Sequence, residues 1–329
     1  MLTIGSYQLA NNLLLAPMAG ITDYPFRNVC LRYGVGMTTS EMVTADIRLW
    51  HSKKSRSRLV HHPDPRYVRS VQIAGTEPMM LAQAAAENVK QGAQVIDINM
   101  GCPAKKVCHK AAGSALLRDE RLVKEILLTV LSTVNVPVTL KFRTGWSSLN
   151  RNAITIAQIA ENAGVAALAL HGRSKADAYK GCAEYETIRQ VKAAVSIPVI
   201  ANGDIHSAKD LAFLQRYTKA DGFMFGRAAL GQPWLFQQLN HFLQTGDMLP
   251  IPDKFERIDT IVGHIRHIHQ FYGDAAGVRI ARKHIGWYLD KSAQAQTRQT
   301  TEWKKRIFAI LDPDEQVEVL GGILLANRF

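Results

Sequence analysis

Several short apolar runs in this chain carry polar side chains at alternate positions and end in residues that could bind or transform a ligand. In the run Val95-Ile-Asp-Ile-Asn-Met-Gly-Cys-Pro103, Asp97 and Asn99 alternate with Ile96, Ile98 and Met100. Alternate residues of a strand share a face, so the carboxylate and the amide point away from the isoleucines. The run then delivers Gly101 and Cys102. A free cysteine has a pKa of about 8.5, so at neutral pH it holds a proton that it can donate. The same pattern returns in Val138–Arg143, where Thr139, Lys141 and Arg143 oppose Val138, Leu140 and Phe142. Gln72 stands between Val71 and Ile73, and His171 and Arg173 follow Leu168 and Leu170. Burying such groups costs free energy unless they are paired or used. Two further runs end in Asn202-Gly203-Asp204 and Gly226-Arg227. Glycine lets a backbone approach a ligand closely, and such turns suit a phosphate held by backbone N–H groups, with Arg227 as a charged donor.

These residues need a scaffold that brings the ends of separate strands together. Candidate strands lie at Leu13–Met18, Met37–Glu41, Val68–Ala74, Val95–Met100, Val138–Arg143, Ala167–His171, Pro198–Asn202 and Gly222–Gly226. Amphipathic segments lie between most of them. Met80–Gln91 places Leu81, Ala84, Ala85 and Asn88 at helical spacing, and Leu122–Val134 does so with Val123, Ile126, Leu127 and Val130. Strand–helix alternation implies parallel strands. Eight such units, in a chain longer than the roughly 250 residues a barrel needs, imply an α/β fold closed as a (β/α)₈ TIM barrel. An open doubly wound sheet would need a Gly-rich turn after the first strand, and Met18-Ala19-Gly20 is not one. Leu249-Pro-Ile-Pro252 reads as a linker. Beyond it Phe255, Ile258, Val262, Ile265 and Ile268 recur at helical spacing, and Ile280–Leu289 and Trp303–Leu311 are helical in pattern. The expected organisation is a catalytic barrel over residues 1–245 and a C-terminal helical domain over residues 253–329.

The 329 residues carry 40 Lys and Arg against 28 Asp and Glu, a formal charge of +12. The excess is clustered. Residues 48–58, RLWHSKKSRSR, hold basic side chains and no acidic one, and residues 254–306 are also rich in Lys, Arg and His. Two basic runs beside a barrel point toward a nucleic acid. No run of apolar residues is long enough for a membrane span, and residues 1–8 do not resemble a signal peptide. Four cysteines without a paired spacing make no disulfide framework, which favours a reducing cytoplasm. Cys30, Cys108 and Cys182 read as structural.

The string Asp97-Ile-Asn-Met-Gly-Cys-Pro-Ala-Lys-Lys-Val107 closely resembles the signature of the tRNA-dihydrouridine synthases. So do Ala16–Asp23, Val71–Gly75, Leu140–Trp146, His171-Gly-Arg173, Ile200–Asp204 and Gly226-Arg-Ala228, in order along the chain. Ala104-Lys-Lys106 and Ala281-Arg-Lys-His284 are most similar to the bacterial B branch. At His109 the chain departs from the Arg that many members carry.

The resemblance implies reduction of the C5–C6 double bond of a uridine in tRNA, in the D-loop by expectation. It implies bound FMN, with NADPH as the reductant. Pro17, Met18 and Ala19 would lie against the flavin ring, and Gln72 and Lys141 would meet its polar edge. Asn202, Gly203, Asp204, Gly226 and Arg227 would hold its phosphate, with His171 also in the cofactor set. Cys102 would be the catalytic acid, and no metal is expected. Arg282, Lys283 and His284 are the candidates for tRNA contact, with Trp287 or Tyr288 available to stack on a base. No protein partner is implied, and the chain is expected to act as a monomer. A small-molecule flavin reductase of the dihydroorotate or enoate type is the alternative, and a non-catalytic RNA-binding barrel is a third reading.

Overall fold

A computed structural model of the chain describes residues 1–109, 111–292 and 298–326. The chain divides into two compact units. The first comprises Met1–Tyr24 and Val35–Gly226; the second comprises Pro25–Gly34 and the chain from Arg227 onward.

The first unit is a parallel barrel. Its strands are β3 (Leu13–Leu15), β4 (Met37–Thr38), β5 (Val43–Thr44), β6 (Ser70–Ala74), β7 (Val95–Met100), β8 (Val138–Arg143), β11 (Ala167–His171), β12 (Val199–Asn202) and β13 (Gly222–Phe225). They hydrogen-bond in the order β4-β3-β13-β12-β11-β8-β7-β6-β5. A parallel bridge between Thr39 and Ser70 closes the ring between β4 and β6. The strands expected at Val95–Met100, Val138–Arg143 and Ala167–His171 fall on those bounds.

The run Met37–Glu41, expected as one strand, is instead β4 followed by a break, with β5 beyond it. The ladder ends at Ser40, whose N–H donates to the Ser70 carbonyl at 3.0 Å, and the side chains of Ser40 and Glu41 bond elsewhere. Ser40 Oγ accepts from the Gln72 amide N–H at 3.2 Å, and Glu41 Oε1 accepts from Gly20 N–H. A short N-terminal hairpin, β1 (Thr3–Ile4) with β2 (Tyr7–Gln8), packs Leu2, Ile4 and Leu9 against Leu14, Met37, Val95, Ala167, Ala169, Ile200 and Met224. A second hairpin, β9 (Gly145–Ser147) with β10 (Asn150–Arg151), springs from the far end of β8.

The barrel interior therefore changes character along each strand. It is apolar where Val95, Ala169 and Ile200 pack. Two residues further on come Asp97, His171 and Asn202. Helices outside the ring bury the faces their spacing dictates. Glu120–Leu131 buries Val123, Ile126, Leu127 and Val130, capped by the Asp119 carboxylate on Leu122 N–H. Pro78–Lys90 buries Leu81, Ala84, Ala85 and Asn88. Proline at the first turn and Glu77 accepting from Met79 and Met80 start that helix cleanly.

The second unit is helical: Lys254–Tyr272, Asp274–Ser292, Arg298–Ala309 and Pro313–Ala326 follow Leu235–Thr245. The first of these exists as expected, but its buried face is rotated. Phe255 is exposed, whereas Arg257, Ile261, His264, Ile265 and Ile268 are buried. No helix among the described residues is long and apolar enough to cross a membrane.

Candidate active site

Strand register sets the polar layer at the C-terminal end of the barrel. Gln72 lies beside Asp97, Asp97 beside Thr139, and Asn99 beside Lys141; His171 lies between Arg143 and Asn202. The side chains then join in a chain of hydrogen bonds. The Asp97 carboxylate accepts from Gln72 Nε2 at 2.7 Å and from Thr139 Oγ at 2.6 Å. This fixes the Gln72 amide, whose Oε1 accepts from Asn99 Nδ2 at 2.8 Å. The Asn99 amide is fixed in turn, and its Oδ1 accepts from the backbone N–H groups of Gly101 and Cys102 at 3.1 and 3.0 Å. A buried carboxylate thus holds, through two amides, the loop that presents Cys102.

Other contacts lock the same loop. Arg143, buried, donates to the Gly101 carbonyl at 2.7 Å and to the carbonyls of Ser174 and Ala178. The Cys102 carbonyl accepts from Ser114 N–H and Ser114 Oγ, and from the Cys108 thiol at 3.6 Å. Gly113 must be glycine there. Its φ is 62°, and a Cβ would stand 2.8 Å from the Cys102 carbonyl oxygen. The Cys102 side chain itself is half-buried, and its thiol pKa is raised chiefly by burial. All four cysteines are free thiols.

Lys141 donates to Asn202 Oδ1 at 3.0 Å, and Asn202 Nδ2 donates to the Met224 carbonyl. Burial lowers the Lys141 pKa, aided by Arg143, while Asp97 opposes that fall. Burial raises the Asp97 pKa against the pull of its hydrogen bonds and of Lys141. Asp97 is therefore buried beside a half-buried lysine, each charge favouring the other, and Asn202 takes one of the lysine's three donors.

The turn after β3 brings Pro17 and Met18 half-buried and Ala19 exposed to the same end, fixed by Met18 N–H donating to Thr22 Oγ at 2.8 Å. Gly226 adjoins Met18: a Cβ there would lie 3.5 Å from its sulfur. Gly203 has φ 128°, and a Cβ would stand 2.8 Å from the Ala183 Cβ and 3.2 Å from the His171 ring. The turn therefore presents bare backbone beside His171.

Asp204 does not offer its carboxylate to a phosphate. Arg173, almost wholly buried, grips it with both terminal nitrogens, and Ala183 N–H donates to it at 2.8 Å. Its backbone is held at φ 44°. Arg227 is exposed at the start of the turn Arg227–Ala229.

The proposed RNA contacts divide. Arg282 and Lys283 are half-buried, and Arg282 donates to the Ile310 carbonyl. His284 is corrected. It is 1% exposed, within ring contact of Phe26, His264 and Trp287, and burial holds its pKa well below the usual range. An imidazole so enclosed is a neutral core residue. Tyr288 is buried too, its hydroxyl 2.9 Å from His264 Nδ1, which leaves Trp287 half-buried. In the basic run 48–58, Ser52 caps the helix Lys53–Arg58, and Arg56 is exposed while Arg58 reaches Glu41 and the Met42 carbonyl.

The relay from Asp97 through Gln72 to Asn99 was visible in the sequence only as inward-facing positions. The Arg173–Asp204 clamp and the Ser114 contact to Cys102 were not assigned at all. The spacing His171-Gly-Arg173 before Asn202-Gly-Asp204 was the available signal for the clamp.

The chain matches the family model described as dihydrouridine synthase over residues 14–327. It belongs to the dihydrouridine synthase family. It is 59% identical over 288 residues to tRNA-dihydrouridine synthase B of Pseudomonas putida, covering 87% of this chain and 85% of that one. It is 53% identical over 319 residues to the same enzyme of Vibrio cholerae, covering 97% of each. Among solved structures, the fold resembles the old yellow enzyme homologue of Zymomonas mobilis, with TM-score 0.53 and 12% identity over 75% of this chain and 92% of that one. It also resembles a 2-naphthoyl-CoA reductase, with TM-score 0.57 and 11% identity over 73% of this chain. The chain spans about half the length of that reductase, 51%. These two likenesses concern the barrel of a dihydrouridine synthase, not its chemistry.

Proposed function

We propose that this dihydrouridine synthase reduces the C5–C6 double bond of a uridine in tRNA, with FMN bound at the barrel rim, NADPH as reductant and Cys102 as the acid. The observation that carries the reading is the loop of Cys102. It is held by Asn99 and Arg143 at the same rim as the half-buried Lys141, which gives one donor to Asn202.

The residues present fit a flavin. Lys141 suits the ring edge that becomes anionic on reduction, whereas Gln72, expected beside it, is buried and bonded to Asp97 and Asn99, and so positions the site instead of lining it. The bare backbone at Gly203 and Gly226 admits a ribityl phosphate, with Asn202, Asp204 and His171 around it and Arg227 as a charged partner. Pro17, Met18 and Ala19 offer an apolar floor. When bound, the flavin supplies a hydride for C6 of the uracil ring.

The protein's own part is the proton. Cys102 keeps its proton at neutral pH because burial raises its pKa, and it delivers that proton to C5. The thiolate left behind is stabilised by the positive charges of Lys141 and Arg143, both of which act to lower the cysteine's pKa. Solvent then restores the proton, so one NADPH and one proton are consumed per uridine reduced. The uridine must leave its stack to reach the rim. Exposed cations of residues 48–58, with Arg282 and Lys283 of the helical region 253–329, would hold phosphates.

Purified protein is expected to be yellow, and its NADPH-reduced flavin is expected to reoxidise anaerobically with undermodified tRNA and not with dihydroorotate precursors or enones. Rapid reoxidation by a small enone or free pyrimidine, with none by tRNA, would establish the small-molecule reductase instead. A colourless protein that takes up no FMN would remove flavin chemistry altogether.

A further inference from the structure

Leu149 is 92% exposed, and among the described large apolar side chains only Met1 exceeds it. A single exposed leucine is ordinary on a protein surface; the way this one is mounted is not. It occupies the turn of the hairpin β9–β10, which leaves the end of β8 directly after Lys141 and Arg143. The hairpin is built stiff. Gly145 has φ 153°, and a Cβ there would stand 2.1 Å from the Asn150 carbonyl oxygen, so only glycine lets the two strands close. Lys175 N–H donates to the Gly145 carbonyl at 2.9 Å and Ala176 N–H to that of Trp146 at 3.0 Å. The Trp146 ring is held by two cations, Lys175 Nζ at 4.1 Å and Arg118 at 4.9 Å from its centre. At the root of the hairpin, Arg143 bonds the Gly101 carbonyl, next to Cys102.

The charges around the tip identify its partner. Arg118 and Arg151 are exposed; Arg151 pairs loosely with Glu184 at 3.7 Å and lies within reach of the Asp177 charge. The residues flanking Leu149 are Ser147, Ser148 and Asn150. A protein interface would bury a wider apolar patch than one leucine. One apolar side chain among cations and small polar groups instead matches the wedges that enter a base stack while cations hold the phosphates.

We propose that Leu149 is such a wedge: the hairpin Gly145–Arg151 enters the folded RNA beside the reacting uridine, and Leu149 takes the place that the extruded base leaves in the stack. The proposal rests on the reading of the chain as a tRNA-modifying enzyme. It predicts that extrusion, rather than phosphate binding, fails when the tip is made polar.

The test uses undermodified tRNA carrying 2-aminopurine next to each D-loop uridine in turn, because 2-aminopurine brightens when its stack opens. The holoenzyme should raise the fluorescence at one position. Leu149→Ser should lose most of that rise, and its kcat/KM for tRNA should fall by about tenfold or more, as expected for losing the burial of a leucine side chain. Leu149→Met should restore both. An equal rise with Leu149→Ser, or no rise with wild-type protein at any position, would overturn the wedge. Dihydrouridine is measured in the same samples. Its absence with wild-type protein would sink the enzymatic reading whatever the fluorescence does, so the two ideas fail separately.

Discussion

The barrel rim and the helical unit both bury titratable groups, but with different surroundings. At the rim, the buried Asp97 and the half-buried Lys141 lie within reach of each other's charge, and Asp97 accepts hydrogen bonds from Gln72 and Thr139. In the helical unit, His264 and His284 lie with ring centres 4.9 Å apart, and Nε2 of each is buried without a hydrogen-bond partner. Paired burial preserves a charge and keeps it poised. Unpaired burial expels the charge and leaves a neutral packing group. The first arrangement suits chemistry and the second suits a core, although the residue types alone do not reveal which is which.

The largest effect that would break this contrast is catalytic. Lys141→Met is expected to slow NADPH-driven dihydrouridine formation by about 10²- to 10³-fold, as for loss of one preorganised charge. Stopped-flow flavin reduction and product mass together check it. A wild-type rate would make Lys141 as silent as the buried histidines.

The next effect is on stability, and the two regions respond to acid with opposite sign. His264 has its pKa lowered to about 3 from 6.5 by burial, and His284 is also lowered. The unfolded chain therefore binds protons that the native one refuses. Stability from His264 is full well above pH 6.5 and is lost as pH falls toward 3, and His284 contributes with the same sign. For His264 the loss is about 2 kcal/mol by about pH 5. Asp97 acts the other way: its raised pKa makes the native carboxyl the better proton acceptor, so acid favours the native state there. Thermal melts from pH 7 to 5 should show a falling Tm, and His264→Phe should flatten that fall. An equal slope in the variant would remove the histidines as its cause.

Asp97→Asn is expected to cost about 1–3 kcal/mol, because an amide cannot accept from both Gln72 and Thr139 without leaving a buried polar atom unpaired. Denaturant unfolding measures it. Smallest is the effect of Arg282→Ala with Lys283→Ala, which should weaken tRNA binding and make the slope of log affinity against log salt shallower by about 1–2. An unchanged slope would exclude both from the phosphate grip.

Much of this was legible in the sequence for physical reasons. Strands β7 and β8 begin on β-branched residues and alternate apolar with polar side chains, so their bounds and faces could be read directly, while β11, Ala-Leu-Ala-Leu-His, is marked only by its short apolar run. Asp97, Asn99, Thr139 and Lys141 occupy the faces that alternation assigns them. The end of the second barrel strand was not legible: Ser40 still donates its N–H to Ser70, but its side chain and that of Glu41 bond residues 32 and 21 positions away in the chain. His284 misled for a similar reason. It follows Arg282 and Lys283 and so reads as part of a basic run, while the helix turns its ring inward against Phe26 from another part of the chain. The stripe from Phe255 was misphased because His264 counts as polar by type but packs as core.

The central claim is that a relay of buried side chains presents the Cys102 thiol as the proton donor to a uridine at a flavin-bearing rim. Single-turnover reaction of NADPH-reduced holoenzyme with undermodified tRNA tests it, comparing wild type with Cys102→Ala. The account predicts that the variant retains its flavin and its reduction by NADPH, while the two-hydrogen mass gain on uridine falls by about 10²-fold or more. Equal product from the variant at the wild-type rate would contradict it.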